Sequence, residues 1–148
     1  MEDVKRILVV CRMTRYSRKA VHYGISLSQK YGAKLYVIHV VHDPFIFGDW
    51  NLPIPNLEEE YKKAVEDAKN ELRSLVAFEK KKGMQIEELV REGDPTKEVL
   101  KMITDETIDL VIMPAHEEGR LEHFLFGRSN EEILRRMPCS IMMVKSAV

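Results

Sequence analysis

Cysteine is nearly missing from this chain, with two residues, Cys11 and Cys139, in 148. The apolar patterns place Cys11 at the carboxyl end of a first strand and Cys139 near the amino end of a last one. In a parallel sheet those are opposite ends, too far apart for a disulfide, and a reducing cytoplasm is the simplest compartment. Long hydrophobic runs are absent as well. No stretch approaches the roughly 18 apolar residues of a membrane-spanning helix, and Met1-Glu-Asp-Val-Lys-Arg6 is no signal peptide. Charge of one sign is lacking: 23 basic against 24 acidic residues leave a net charge of −1. No global positive field exists to attract nucleic acid. The sequence has no Walker lysine, no Ser-His-Asp set and no paired carboxylates in a plausible cleft. It therefore reads as a protein without catalysis. Repeats, linkers and low-complexity segments are missing too, so residues 1–148 are expected to form one domain.

What remains is ordinary globular material, 45% hydrophobic. Ile7-Leu-Val-Val-Cys11 is a short β-branched run without alternation, the pattern of a central strand buried on both faces, within Val4 to Cys11. Thr14 or Ser17 could cap the next helix. Ala20, Val21, Gly24, Leu27 and Tyr31 share one helical face, and Gly32 ends it. Leu35 to Val41 is a second strand. A loop from His42 to Asn56 carries Phe45, Ile46, Phe47 and Trp50, suited to folding back over a sheet edge, a neighbouring subunit or a ligand. Asn56 and Glu59 have capping-box spacing. A long helix follows with Tyr61, Ala64, Val65, Ala68, Leu72, Leu75 and Val76 as its stripe, ending at Gly83. Ile86 to Val90 is a more polar strand, expected at an edge.

Gly93-Asp94-Pro95 opens a third helix, with Asp94 as cap and Pro95 in the first helical position. Val99, Leu100 and Ile103 form its buried face. Asp109 precedes the strand Leu110-Val-Ile-Met113. A long loop reaches Ser129, which with Glu132 has capping-box spacing. Ile133, Leu134 and Met137 face inward from that last helix, and Ile141 to Val144 close the sheet. The alternation of strands and helices predicts a doubly wound, five-stranded parallel sheet with helices on both faces. Ligands of such sheets collect outside the carboxyl ends of the strands, which is where the loop after Met113 lies.

Several polar groups there have plain readings. His39, inside an apolar strand, is expected to be a satisfied core histidine. His42 and Asp43 form a turn. Cys11 beside Arg12 could have a lowered pKa, but it reads first as a small buried apolar residue. His116, Glu117 and His123 match no compact metal-ligand spacing.

In order and spacing, several pieces together resemble the universal stress protein family. They are Lys5-Arg-Ile-Leu-Val-Val10, Ser17 and Ala20, Tyr31-Gly-Ala-Lys-Leu-Tyr-Val-Ile-His-Val-Val41, Gly93-Asp-Pro95, Ile108-Asp-Leu-Val-Ile-Met113, Gly127 and Pro138-Cys139. The resemblance implies an adenine nucleotide alpha hydrolase-like fold with strand order 3-2-1-4-5. It also implies a homodimer paired through the last strands, here Ile141, Met142, Met143 and Val144.

Members that bind ATP carry a pattern of Gly, two residues, Gly, nine residues, Gly and Ser or Thr, with an acid just after the first strand. Its glycines let backbone N–H groups approach phosphate at a helix N-terminus. Here Pro114 and Glu117 fall on the first two glycine positions. Arg128 follows Gly127, with Ser129 one place late, and Arg12 stands where the acid is expected. Two like charges 4 Å apart at a dielectric of 20 repel by roughly 4 kcal/mol, on the order of a thousandfold in affinity.

The resemblance thus places the chain in a branch without the ATP signature: a homodimeric stress-response or interaction protein with no cofactor, an unknown protein partner and no membrane or nucleic-acid partner. The alternative is a switch or weak ATPase binding ATP with magnesium through Arg12, Val41, Met113, Pro114, Glu117, Gly127, Arg128 and Ser129.

Overall fold

The computed structural model describes residues 3–12, 15–41, 57–115 and 135–145. Five strands form one sheet: β1 (Arg6–Val10), β2 (Lys34–Val41), β3 (Ile86–Glu92), β4 (Leu110–Ala115) and β5 (Ser140–Lys145). Among the described residues, the helices α1 (Arg15–Tyr31), α2 (Leu57–Lys81) and α3 (Pro95–Asp105) lie between them. The strand order is β3-β2-β1-β4-β5, and each pairing is parallel. The expected topology is therefore the observed one. The helix expected before β5 falls largely outside the described residues; Arg135 and Arg136 are helical.

β1 is central because its side chains can be buried on both faces. Ile7, Leu8 and Val9 are fully buried. Ile7 and Val9 join Ala20, Val21, Leu35, Val37, Leu72 and Val76 in the layer under α1 and α2. Leu8 and Val10 join Tyr36, Ile38, Val99, Met102 and Ile103 in the layer under α3. Each fully buried aliphatic side chain contributes about 1.5–3 kcal/mol. α1 approaches the sheet closely at Gly24, where a Cβ would stand 2.5 Å from Val9 Cγ2 and 3.1 Å from Leu35 Cδ1. Asp109 ties the start of β1 to β4, its Oδ2 accepting the N–H groups of Lys5 and Arg6, both at 2.8 Å.

α1, α2 and α3 end alike. Gly32 and Gly83 have positive φ, and the next residue donates back across the last turn, Ala33 to the Ser28 carbonyl and Met84 to the Glu79 carbonyl. α3 repeats this with Ile108 donating to the Ile103 carbonyl, but Thr107 holds the left-handed position, at φ 52. The start of α3 is as expected: the Asp94 side chain accepts from the N–H groups of Thr96 and Lys97, with Pro95 first in the helix.

Several expectations change. β1 begins at Arg6, not Val4. Ser17 lies inside α1 and does not cap it, while Thr14 and Asn56 fall outside the described residues. Tyr31, the last residue of α1, is half exposed. Ala64 is exposed, since the stripe of α2 is buried only from Ala68 onward, at Ala68, Leu72 and Val76. Leu100 is half-buried, while Met102 joins the buried face of α3. Pro114, read as the first loop residue, belongs to β4 and pairs with Val144.

Candidate functional site at the β1–β4 crevice

The strand order reverses between β1 and β4, since β2 continues to one side of β1 and β4 to the other. At such a switch point the connections leave on opposite faces and open a crevice at the carboxyl ends. The chain leaving β1 is fixed there by three contacts. The Cys11 N–H donates to the Ile38 carbonyl at 2.8 Å. His39 Nδ1 lies 2.9 Å from the Cys11 carbonyl. The Arg12 N–H donates to Ser17 Oγ at 2.7 Å, so the fully buried Ser17 hydroxyl holds the strand exit rather than the helix start.

A carbonyl only accepts, so His39 donates through Nδ1 and its neutral form carries no proton on Nε2. His39 is held below the usual histidine range, first by burial and further by the charge of Arg12, against the opposing pull of the Cys11 carbonyl. It is satisfied, as expected, but half-buried rather than in the core. Arg12 is itself partly desolvated, which lowers its pKa to about 10. It remains a cation at neutral pH. Arg12 thus stands at the position where an acid was the expectation for a nucleotide binder.

On the β4 side, Met113 is 1% exposed and Pro114 is buried, while Ala115 is half-buried. Val41, at the end of β2, accepts from the Gly93 N–H at 3.1 Å. Its side chain lines a groove of about 400 Å³ between β2 and α2, with His39, Ala64, Asp67, Ala68 and Glu71. Arg12, Val41, Met113 and Pro114 therefore gather at one end of the sheet. Glu117, Gly127, Arg128 and Ser129 lie outside the described residues, as do His42, Asp43, His116, His123 and the 42–56 loop. The groove was missed from the sequence. Its signal was the spacing of Asp67 and Glu71, one turn apart on α2 and flanking Ala68.

Of the four residues assigned to the dimer edge, Val144 is in the core at 4% exposure, and Ile141 and Met142 are half-buried. Met143 is 37% exposed. Cys11 is buried and Cys139 half-buried, and neither forms a disulfide.

Sheet order, two-sided core and crevice define a doubly wound α/β protein of the nucleotide alpha hydrolase-like type. The universal stress protein family profile matches residues 3–145. The chain belongs to that family. A universal stress protein of Methanocaldococcus jannaschii is 27% identical over 96 residues, 64% of this chain and 59% of that protein. One of Methanothermobacter thermautotrophicus is 23% identical over 150 residues, 99% of each chain. The solved M. jannaschii structure superposes with a TM-score of 0.76 at 20% identity, covering 99% of both chains. A universal stress protein solved in complex with cAMP gives 0.70 at 17% identity, covering 99% of this chain and 100% of that one. One from Archaeoglobus fulgidus in complex with dAMP gives 0.65 at 13%, covering 98% and 100%. Among the described residues, no helix is long and apolar enough to cross a membrane.

Proposed function

We propose that this chain is a non-catalytic, homodimeric universal stress protein that acts through protein contacts and does not hold ATP in a glycine-lined loop. The contrast between the two sheet edges carries this reading. β3 is blunted by charge, with Glu87, Glu88, Arg91 and Glu92 along its seven residues. β5 reads Ser-Ile-Met-Met-Val-Lys, with charge only at its end, and leaves Met143 exposed. An apolar edge of that length is an aggregation hazard unless another strand covers it, and a second copy related by a two-fold axis satisfies both edges at once. Sedimentation equilibrium at micromolar concentration should give a dimer, and Met143→Asp, which need not disturb the core, should give a folded monomer. A monomeric wild type would overturn the dimer.

The ATP part of the reading rests on Pro114 and Arg12. Pro114 has no N–H to offer a phosphate and sits within a paired strand. Two cysteines outside any disulfide, Cys11 and Cys139, fit a reducing cytoplasm. The second reading, a nucleotide-binding switch using the 114–129 loop with Arg12 and Val41, draws support from the relatives solved with cAMP and dAMP. Calorimetric titration of nucleotide-free protein with ATP and magnesium separates the two. The first reading expects no heat up to millimolar ATP, whereas tight binding of one ATP per chain would establish the switch.

A further inference from the structure

The last turns of α1 and α2 end side by side at the amino end of the sheet. The segments that follow them are tied together there, the Leu35 N–H donating to the Gln85 carbonyl at 3.0 Å. Both helices close on lysine, Lys30 in α1 and Lys80 and Lys81 in α2, and Lys82 follows. α1 carries no Asp or Glu along its length. Lysines at helix carboxyl ends complement the helix dipole, but that leaves the aromatic rings among them unexplained. Phe78 is 65% exposed and Tyr31 50%, more than Tyr23 or Met143. Lys82 Nζ stands 4.3 Å from the centre of the Phe78 ring, so ring and charge form one unit. Glu88 holds Lys80 at 2.9 Å, and Glu87 holds Lys34 at 3.0 Å. Among the described residues no ion pair engages Lys30, Lys81 or Lys82.

We infer that this surface docks a short acidic segment of a partner protein, one that carries an apolar residue between its carboxylates. The inference rests on the reading that the chain acts through protein contacts, and it names where one contact falls and what chemistry it takes. Carboxylates of the segment meet Lys30, Lys81 and Lys82, and its apolar residue covers Phe78. Aromatic residues anchor interfaces, and surrounding charges steer the encounter and reject wrong partners. An extended polyanion suits the surface less well. Glu87 and Glu88 stand among the lysines and would face it. A nucleic-acid site engages roughly six to ten phosphates, more than these lysines supply, and a lipid surface gains only about fivefold in affinity per lysine. A short peptide places its charges at the lysines and keeps clear of the glutamates. α2 packs on β2 and β3, while β5 closes the far edge of the sheet. Phe78 and its lysines therefore stay open in a dimer paired through β5.

The test is fluorescence anisotropy of the full-length protein at low ionic strength, with the labelled peptide Glu-Asp-Glu-Phe-Asp-Leu-Glu-Glu as probe. Wild type should bind with a Kd of about 10–100 µM, the range of a weak, transient contact. Salt at about 0.5 M should weaken it at least tenfold. Phe78→Ala, at an exposed position outside the core, should weaken binding at least tenfold, and so should Lys81→Glu combined with Lys82→Glu. Lys62→Glu combined with Lys63→Glu, at the other end of α2, should match wild type. Circular dichroism confirms that each variant is folded. No binding at millimolar peptide would overturn the proposal. Unchanged affinity in Phe78→Ala would overturn it too, by reducing the contact to general charge attraction. So would tighter binding to phosphatidylserine vesicles or to single-stranded DNA than to the peptide. Sedimentation and the ATP titration test the broader reading without these helix ends, so failure here with those results intact removes this surface alone.

Discussion

Gly24→Ala places a methyl group where α1 touches the sheet. In an open helix this change stabilises by about 1 kcal/mol, because glycine is a poor helix former. Here the new carbon would stand 2.5 Å from Val9 Cγ2 and 3.1 Å from Leu35 Cδ1, well inside the 3.5–4.0 Å of carbon contact. Val9 and Leu35 have no exposed surface into which to move, and β-branched Val9 has little rotamer freedom. Overpacking of this kind costs about 1–3 kcal/mol. With Val9 fixed in the central strand the upper part of that range applies, and the helix-propensity gain offsets part of it. The net loss is then about 1–2 kcal/mol, which for a chain of this size lowers Tm by about 2–8 °C. Urea and thermal unfolding at one fixed protein concentration measure it. A Val9→Ala background removes the nearer clash, so there Gly24→Ala should cost less than half as much or become stabilising. A rise in stability for Gly24→Ala in the wild-type background would refute the reasoning. So would a penalty that Val9→Ala leaves unchanged.

Three further outcomes are expected. Asp109→Ala removes the acceptor shared by the Lys5 and Arg6 N–H groups and should cost about 1–2 kcal/mol, the partial exposure of the site discounting the full value of charged hydrogen bonds; denaturant midpoints measure it. Thr107→Gly relieves the left-handed backbone at φ 52 and should stabilise by about 0.5–1 kcal/mol, the lost strain exceeding the added freedom of the unfolded chain; thermal unfolding decides the sign. His39 has a depressed folded pKa, so below the unfolded value of about 6.5 the unfolded chain binds the extra proton. Its contribution is fully present above that pH and is lost as pH falls toward the folded pKa, and the stability–pH curve of His39→Gln should be flatter across that window.

The sequence by itself determined the layers and their order. Unalternating apolar runs such as Ile7 to Cys11 can be satisfied only by strands covered on both faces, and the helical stripes between them supply that cover. Gly32, Gly83 and Asp94-Pro95 marked helix ends because backbone geometry limits which residues serve there. The crevice was legible only as a location, the carboxyl ends of the strands. Contacts between distant residues were decided by tertiary structure alone. Ser17 looked like a helix cap because a hydroxyl before a helix usually bonds its own N–H groups, yet the fold brings the Arg12 N–H to it first. Pro114 read as a loop residue until pairing with Val144 extended β4 through it. Thr107 gave no sign of its left-handed backbone, which the packing of Ile108 beneath α3 imposes. The meeting of Met137 and Cys139 sulfurs is of the same kind. Spacing along the chain permits it, but only the bend entering β5 and the core layer behind it bring the two atoms to 3.8 Å.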